Sequence, residues 1–254
     1  MKLITWEKPG TRLRGEFTES LSELESIFMN MESCLIEANI AYNRFSDPQN
    51  GISLDLDGQH FKMKITLRSQ AERQIATELG EPDLQKLSGS DANAAFHERN
   101  RLIDRRTQEL LIESGQVPSS YQLQIRLLYA KSYVHSIATF NNFLKVISEN
   151  PIASPGLGNI HEKFKRKFPF LVEVRNSVQH VEDRIRRRGR NGKKYETTLN
   201  LIAALSDNRF VVTIADGSDG EVPISLEGLT AMQKSLTDVY AIFDWTGPRR
   251  QLPS

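Results

Sequence analysis

Arg175, Asn176 and His180 stand within one run, FLVEVRNSVQHVEDR (residues 170–184). An imidazole titrates near neutral pH and can take or give a proton. A guanidinium matches the geometry of a phosphate and can stabilise charge that builds on it. An asparagine amide can orient either group. Arg184, Arg186, Arg187, Arg188, Arg190, Lys193 and Lys194 follow at once. A proton shuttle, a fixed cation and a phosphate-attracting tail thus sit side by side. A plainer reading stands beside this one: an arginine and a histidine on a helix surface, with Glu173 and Glu182 as ion-pair partners.

The run reads as a helix, with Pro169 suited to its start. Residues four apart share a helix face, so Asn176 and His180 point the same way, and the long Arg175 side chain can lean onto that face. Val174, Val178, Val181 and Ile185 form the expected buried side, which leaves the motif lining a groove. The charge distribution agrees with a polyanion partner. The chain of 254 residues carries a net charge of +1, yet residues 161–194 hold twelve lysines and arginines against four acids. One basic patch on a mildly acidic body favours nucleic acid over a neutral ligand, although a basic run can also be a solvated loop.

The remaining candidates are weaker. His60, His97, His135 and His161 are scattered, and His97-Glu98 lacks the second histidine of a zincin. No metal or other cofactor is expected. Arg99-Asn100 has no following histidine, and Gly156 and Gly158 lack the strand–helix setting of a phosphate loop. Cys34 is the single cysteine, so no intrachain disulfide can form; it reads as a small core residue in a reducing compartment. No secretory signal and no run of about 20 apolar residues is evident, so a cytoplasmic location without membrane association is expected.

Helices dominate the pattern around the motif. Apolar residues recur at helical spacing over 17–45 and 119–149, with further helices expected near 69–79, 91–113, 160–167 and 226–245. Trp6 and Trp245 read as packing residues near the chain ends. Two β inserts interrupt the helices. Residues 52–67 alternate around Asp57-Gly58 and predict a hairpin. Strands are expected at 195–204, 209–215 and 222–225, with turns at Asp207-Asn208 and 216–220. The expected fold is mainly α: one domain over residues 1–254, a helical bundle with β inserts near 52–67 and 195–225.

The motif Arg175-Asn176-x-x-x-His180, preceded by apolar Leu171, Val172 and Val174, resembles the signature of the HEPN superfamily of helical-bundle nucleases. The long helices over 17–188 and 226–245 suit that family's fold; the β inserts are not part of its minimal form. The resemblance implies a metal-independent endoribonuclease. His180 would act as general base or acid, Arg175 would hold the scissile phosphate, and Asn176 would orient one of them. The products would carry a 2′,3′-cyclic phosphate and a 5′-hydroxyl. A two-fold homodimer would set two copies of the motif around one cleft, with residues 184–194 flanking the RNA. Family habit adds a role as a toxin or phage-defence effector, with an antitoxin or defence-system partner. Some members carry a tyrosine two positions after the histidine as a modification site; here that position is Glu182. The family's habit of facing the 119–149 helix toward the motif helix would let Ser132, His135 or Asn142 stand behind the motif and support it. The alternatives are a non-catalytic RNA- or nucleotide-binding bundle and a dimeric interaction module.

Overall fold

The apolar residues of 19–45 recur every three or four positions because one face of a helix must be covered. In the computed structural model they make α1 (Glu19–Phe45), with Leu24, Phe28, Met31 and Leu35 wholly buried. Residues 2–15, 19–47, 59–79, 89–115, 119–150, 155–186 and 203–253 are described by the structure. The chain divides into two compact units, residues 1–47 with 126–254, and residues 48–125.

The larger unit is helical with small antiparallel sheets. β1 (Trp6–Lys8) and β2 (Arg12–Leu13) precede α1. The long helix α4 (Ser119–Glu149) contributes its residues from Arg126 onward. α5 (Pro155–Lys167), α6 (Leu171–Gln179) and α7 (Val181–Ile185) follow. Next come β3 (Ala204–Ser206), β4 (Arg209–Thr213), β5 (Asp219–Pro223), α8 (Leu226–Tyr240), β6 (Trp245–Thr246) and β7 (Arg250–Leu252). α8 packs on α1 and α5, and α6 packs on β4 and β5. Phe28 lies at the centre, its ring 5.6 Å from Tyr240, 5.3 Å from Phe243 and 5.4 Å from Trp245. β1 pairs with β7 and β2 with β6, so the two ends of the chain are joined by backbone hydrogen bonds.

Several sequence-based boundaries move, each for a local reason. α5 begins at Pro155 rather than near 160. A proline fits the first helical position, where its missing N–H has no helical acceptor to lose. The last helix ends at Tyr240, short of Trp245. Trp245 leaves the helix to pair with Leu13, and its indole N–H donates to the Tyr240 carbonyl at 2.9 Å. Beyond that helix, Arg250–Leu252 supply β7. The three-stranded sheet runs in the order β3-β4-β5. Its first turn falls where expected, with Asp207 at φ 47° and Asn208 at φ 61°. Both positive angles fit a two-residue hairpin turn of type I′. Most of the strand expected over 195–204 lies outside the described residues.

The smaller unit corrects one prediction outright. The hairpin near 52–67 is absent from the described part of that segment: residues 59–67 open the helix α2 (Gln59–Leu79). Phe61, Met63, Ile65 and Leu67 alternate, but Leu67, Ala71 and Ile75 also recur every four residues. The helical spacing prevails because that face packs with Leu102, Ile103 and Leu110 of α3 (Gly89–Glu113). Ile65 is then left half exposed, at 50%. Residues 52–58, with the Asp57-Gly58 turn, lie outside the described residues. The Arg106 guanidinium also joins the helices, donating to Gln74 at 2.8 Å.

Gly220 lets the sheet approach α6. A Cβ there would stand 2.5 Å from Ile214 Cγ2 and 3.0 Å from Val174 Cγ2, both on buried side chains. Gly220→Ala should therefore cost about 1–3 kcal/mol through overpacking. Urea denaturation followed by circular dichroism measures it; an unchanged midpoint would show that the β5–α6 contact yields freely.

Candidate functional site

α6 is anchored from one side. Leu171 and Val174 are buried at 2% and 0% exposure, and Ser177 is buried beside them, while the sheet β4–β5 packs beneath. Arg175 is consequently half-buried, and Asn176 and His180 are exposed. The motif side chains thus stand on an accessible ridge. The ridge is not one continuous helix. α6 stops at Gln179, and His180 is its C-cap with φ −117° and ψ 39°, before α7 resumes at Val181. Ile185, expected on the buried side, is 61% exposed, and Val178 and Val181 are half-buried.

Asn176 links the other two motif residues. Its side-chain Oδ1 accepts from Arg175 Nη1 at 2.8 Å. Its backbone carbonyl accepts the His180 N–H at 3.1 Å. One residue therefore fixes an arm of the guanidinium and the backbone that carries the imidazole. Of the expected RNA-binding residues, Arg186 is exposed beyond α7. Arg184 lies within α7, its side chain outside the described portion. Arg187, Arg188, Arg190, Lys193 and Lys194 lie outside the described residues.

Across from α6, α4 presents Lys131 and His135 one turn apart. Gln179 Nε2 lies 3.4 Å from His135 Nδ1. Lys131, His135, Arg175 and Gln179, with Val134, Val178 and Phe210, enclose a small cavity of about 30 Å³. Lys131, His135 and Val178 also line a neighbouring cleft of about 480 Å³. Its remaining wall is Glu37, Ile40, Ala41, Tyr129, Ser132 and Ser136. Ser136 Oγ lies 3.2 Å from Glu37 Oε2 and 3.0 Å from the Ser132 carbonyl, so its one proton is shared between two acceptors at the cleft wall. The cleft sits in the size range of small-molecule sites, about 300–1,000 Å³, and has the usual mix of apolar walls and few polar groups.

Sequence reasoning placed Arg175, Asn176 and His180 but did not join Lys131, Gln179 and Phe210 to them. The four-residue spacing shared by Lys131–His135 and Arg175–Gln179 carried a signal that each pair occupies one helix face. That the two faces meet is a tertiary fact. Phe210, from the β insert, shows that the sheet supports the ridge rather than forming a remote surface.

The other titratable candidates are structural or remote. Cys34 is buried, and burial, then the nearby Glu37 charge, pushes its thiol up to about 12. A thiol held protonated in this way is a poor nucleophile. Burial also moves His161 below the usual imidazole range. His97 lies in the smaller unit, and the His60 side chain is outside the described portion. No helix among the described residues is long and apolar enough to cross a membrane. Among those residues no three or more histidine, cysteine or carboxylate side chains converge as a metal site would require.

Fold and site together define a mainly helical protein with small antiparallel sheets and an accessible Arg-Asn-His ridge beside a cleft. No family model, curated protein or solved structure matches the chain.

Proposed function

We propose that the chain is a metal-independent endoribonuclease of the HEPN type, cleaving RNA by attack of a ribose 2′-hydroxyl on the adjacent phosphate. The observation that carries this reading is the accessible ridge on which Asn176 ties the Arg175 guanidinium to the backbone of His180. Arg175 holds the scissile phosphate and stabilises the charge that develops on it. His180 carries a proton transfer, as base at the 2′-hydroxyl or acid at the leaving 5′-oxygen. The basic run 184–194 holds the RNA backbone, and a homodimer doubles the site. The role in the cell is that of a toxin or defence effector, restrained by a protein partner.

RNA cleavage by the purified chain in excess EDTA tests this. The wild type should release 2′,3′-cyclic phosphate ends, and His180→Ala should be slower by at least about 100-fold, the scale of one acid–base group. Cleavage that needs added metal, or that survives unchanged in His180→Ala, would sink the reading. A second reading draws on Lys131 and His135 in the cleft beside the ridge: an RNA- or nucleotide-binding bundle without catalysis. It is recognised by salt-sensitive RNA binding with no cleavage.

A further inference from the structure

We propose that His135 is the second proton-transfer catalyst of the site, so that the acid and the base of the reaction both come from one chain. The inference rests on the endoribonuclease reading and adds a residue to it. A single imidazole serves one step well. In-line cleavage needs two transfers, one from O2′ and one to O5′. Pairing two copies of His180 across a dimer is one way to supply both. The structure offers a nearer source.

His135 is exposed on α4 and lines both the small cavity that holds Arg175 and the larger cleft beside it. It therefore shares a wall with the phosphate-binding cation, and the cleft gives a substrate access to it. Gln179, one turn from Arg175 and next to His180, stands 3.4 Å from its Nδ1. An amide suits a ring that changes charge. It can donate N–H to a bare Nδ1 or, turned over, accept from Nδ1–H. Nε2 is left for the substrate in either state. Lys131, one turn before His135, adds a second cation to the same wall.

The chemistry balances with these groups. One imidazole takes the 2′-hydroxyl proton as the O2′–P bond forms. The P–O5′ bond then breaks, and O5′ takes a proton from the other imidazole. The pair exchanges its protonation states, the products are a 2′,3′-cyclic phosphate and a 5′-hydroxyl, and no outside reagent is consumed. Arg175 neutralises the extra charge on the phosphate between the two steps.

The test uses the full chain on an RNA that the wild type cleaves, with His135→Ala, Gln179→Ala and His180→Ala compared. His135 is exposed, so alanine suits its place in a helix and the fold should persist; circular dichroism checks this. His135→Ala should lower kcat by at least about 100-fold with little change in KM, and the bell-shaped pH profile of kcat/KM should lose one limb. Gln179→Ala should cost about tenfold, the scale of one neutral hydrogen bond lost, and keep both limbs. A substrate with a sulfur in place of the leaving 5′-oxygen needs no acid, so it should rescue whichever of the two histidine variants lacks the acid. Mixing His135→Ala with His180→Ala should restore nothing. Recovery on mixing would show the pair assembled across two chains and would overturn the single-chain assignment. If His135→Ala cleaves like wild type while His180→Ala is dead, this inference fails and the endoribonuclease reading stands. A wild type that cleaves no RNA overturns both.

Discussion

Arg175→Lys should lose about 100-fold in cleavage although it keeps the positive charge. The guanidinium donates one N–H to Asn176 Oδ1 at 2.8 Å, and that bond sets the plane of the fork. The remaining donors are then aimed as a rigid set, which a phosphate in transition can accept without further reorganisation. A lysine ammonium keeps the charge but presents it as a single hydrated point on a flexible stem, and it has no fork for Asn176 to hold. Removing a preorganised donor to a developing oxyanion costs about 100- to 1,000-fold in kcat, so Arg175→Ala is expected near the upper figure and Arg175→Lys near the lower. Asn176→Ala should fall between wild type and Arg175→Lys, since the arginine stays but is no longer oriented. Single-turnover rates on one RNA, with affinity measured on a substrate lacking the scissile 2′-hydroxyl, separate rate from binding. Should Arg175→Lys cleave within about threefold of wild type, charge alone suffices and the fork geometry of the guanidinium does not matter at this site.

The motif was legible because it lies within one stretch of chain: an arginine, an asparagine and a histidine are fixed by spacing, whatever packs around them. α4 was legible for a similar reason, with Gly115 and Pro118 before it, Pro151 after it, and an apolar face that buries Val134, Ile137, Phe140, Leu144 and Ile147. Even there, Leu128 is 59% exposed although it falls in the apolar run. Residues 59–67 misled because alternation and helical spacing overlap at Leu67, and only the partner helix decides between them. The break at His180 carries no glycine or proline to announce it. The groups that meet Arg175 come from α4 and β4, brought together by packing that no local pattern encodes. Nothing in the spacing of Lys8, Glu32 and Tyr240 joins them either, for they lie 24 and 208 residues apart.

Removing one member of that last trio should destabilise the larger unit strongly. Lys8 Nζ lies 2.6 Å from Glu32 Oε1, and the Tyr240 hydroxyl donates to the same oxygen at 2.5 Å. Lys8 and Glu32 retain only 13% and 15% side-chain exposure, and Tyr240 retains 1%. Glu32→Ala would leave a mostly buried ammonium without its counter-charge and a buried hydroxyl without its acceptor. Breaking such a pair by removing one partner costs about 3–5 kcal/mol. For a unit of this size that is a fall of about 10 °C in Tm. Replacing the whole trio is a different matter. Lys8→Met, Glu32→Leu and Tyr240→Phe together remove the stranded ammonium and hydroxyl and add apolar contact beside Phe28 and Trp245, so the triple variant should lie within about 2 kcal/mol of wild type. Burial first, then the Glu32 charge, raises the Tyr240 hydroxyl above its ordinary range. The folded chain therefore keeps that proton at a pH where the unfolded chain has lost it. Wild-type stability should fall as pH rises above about 10, the unfolded tyrosine value, and the triple variant should lack this tyrosine's share of the fall. Urea titrations of wild type, Glu32→Ala and the triple variant at neutral and alkaline pH measure all of this. A Glu32→Ala variant as stable as wild type would mean that water reaches Lys8 and Tyr240, and that burial there does not set the cost.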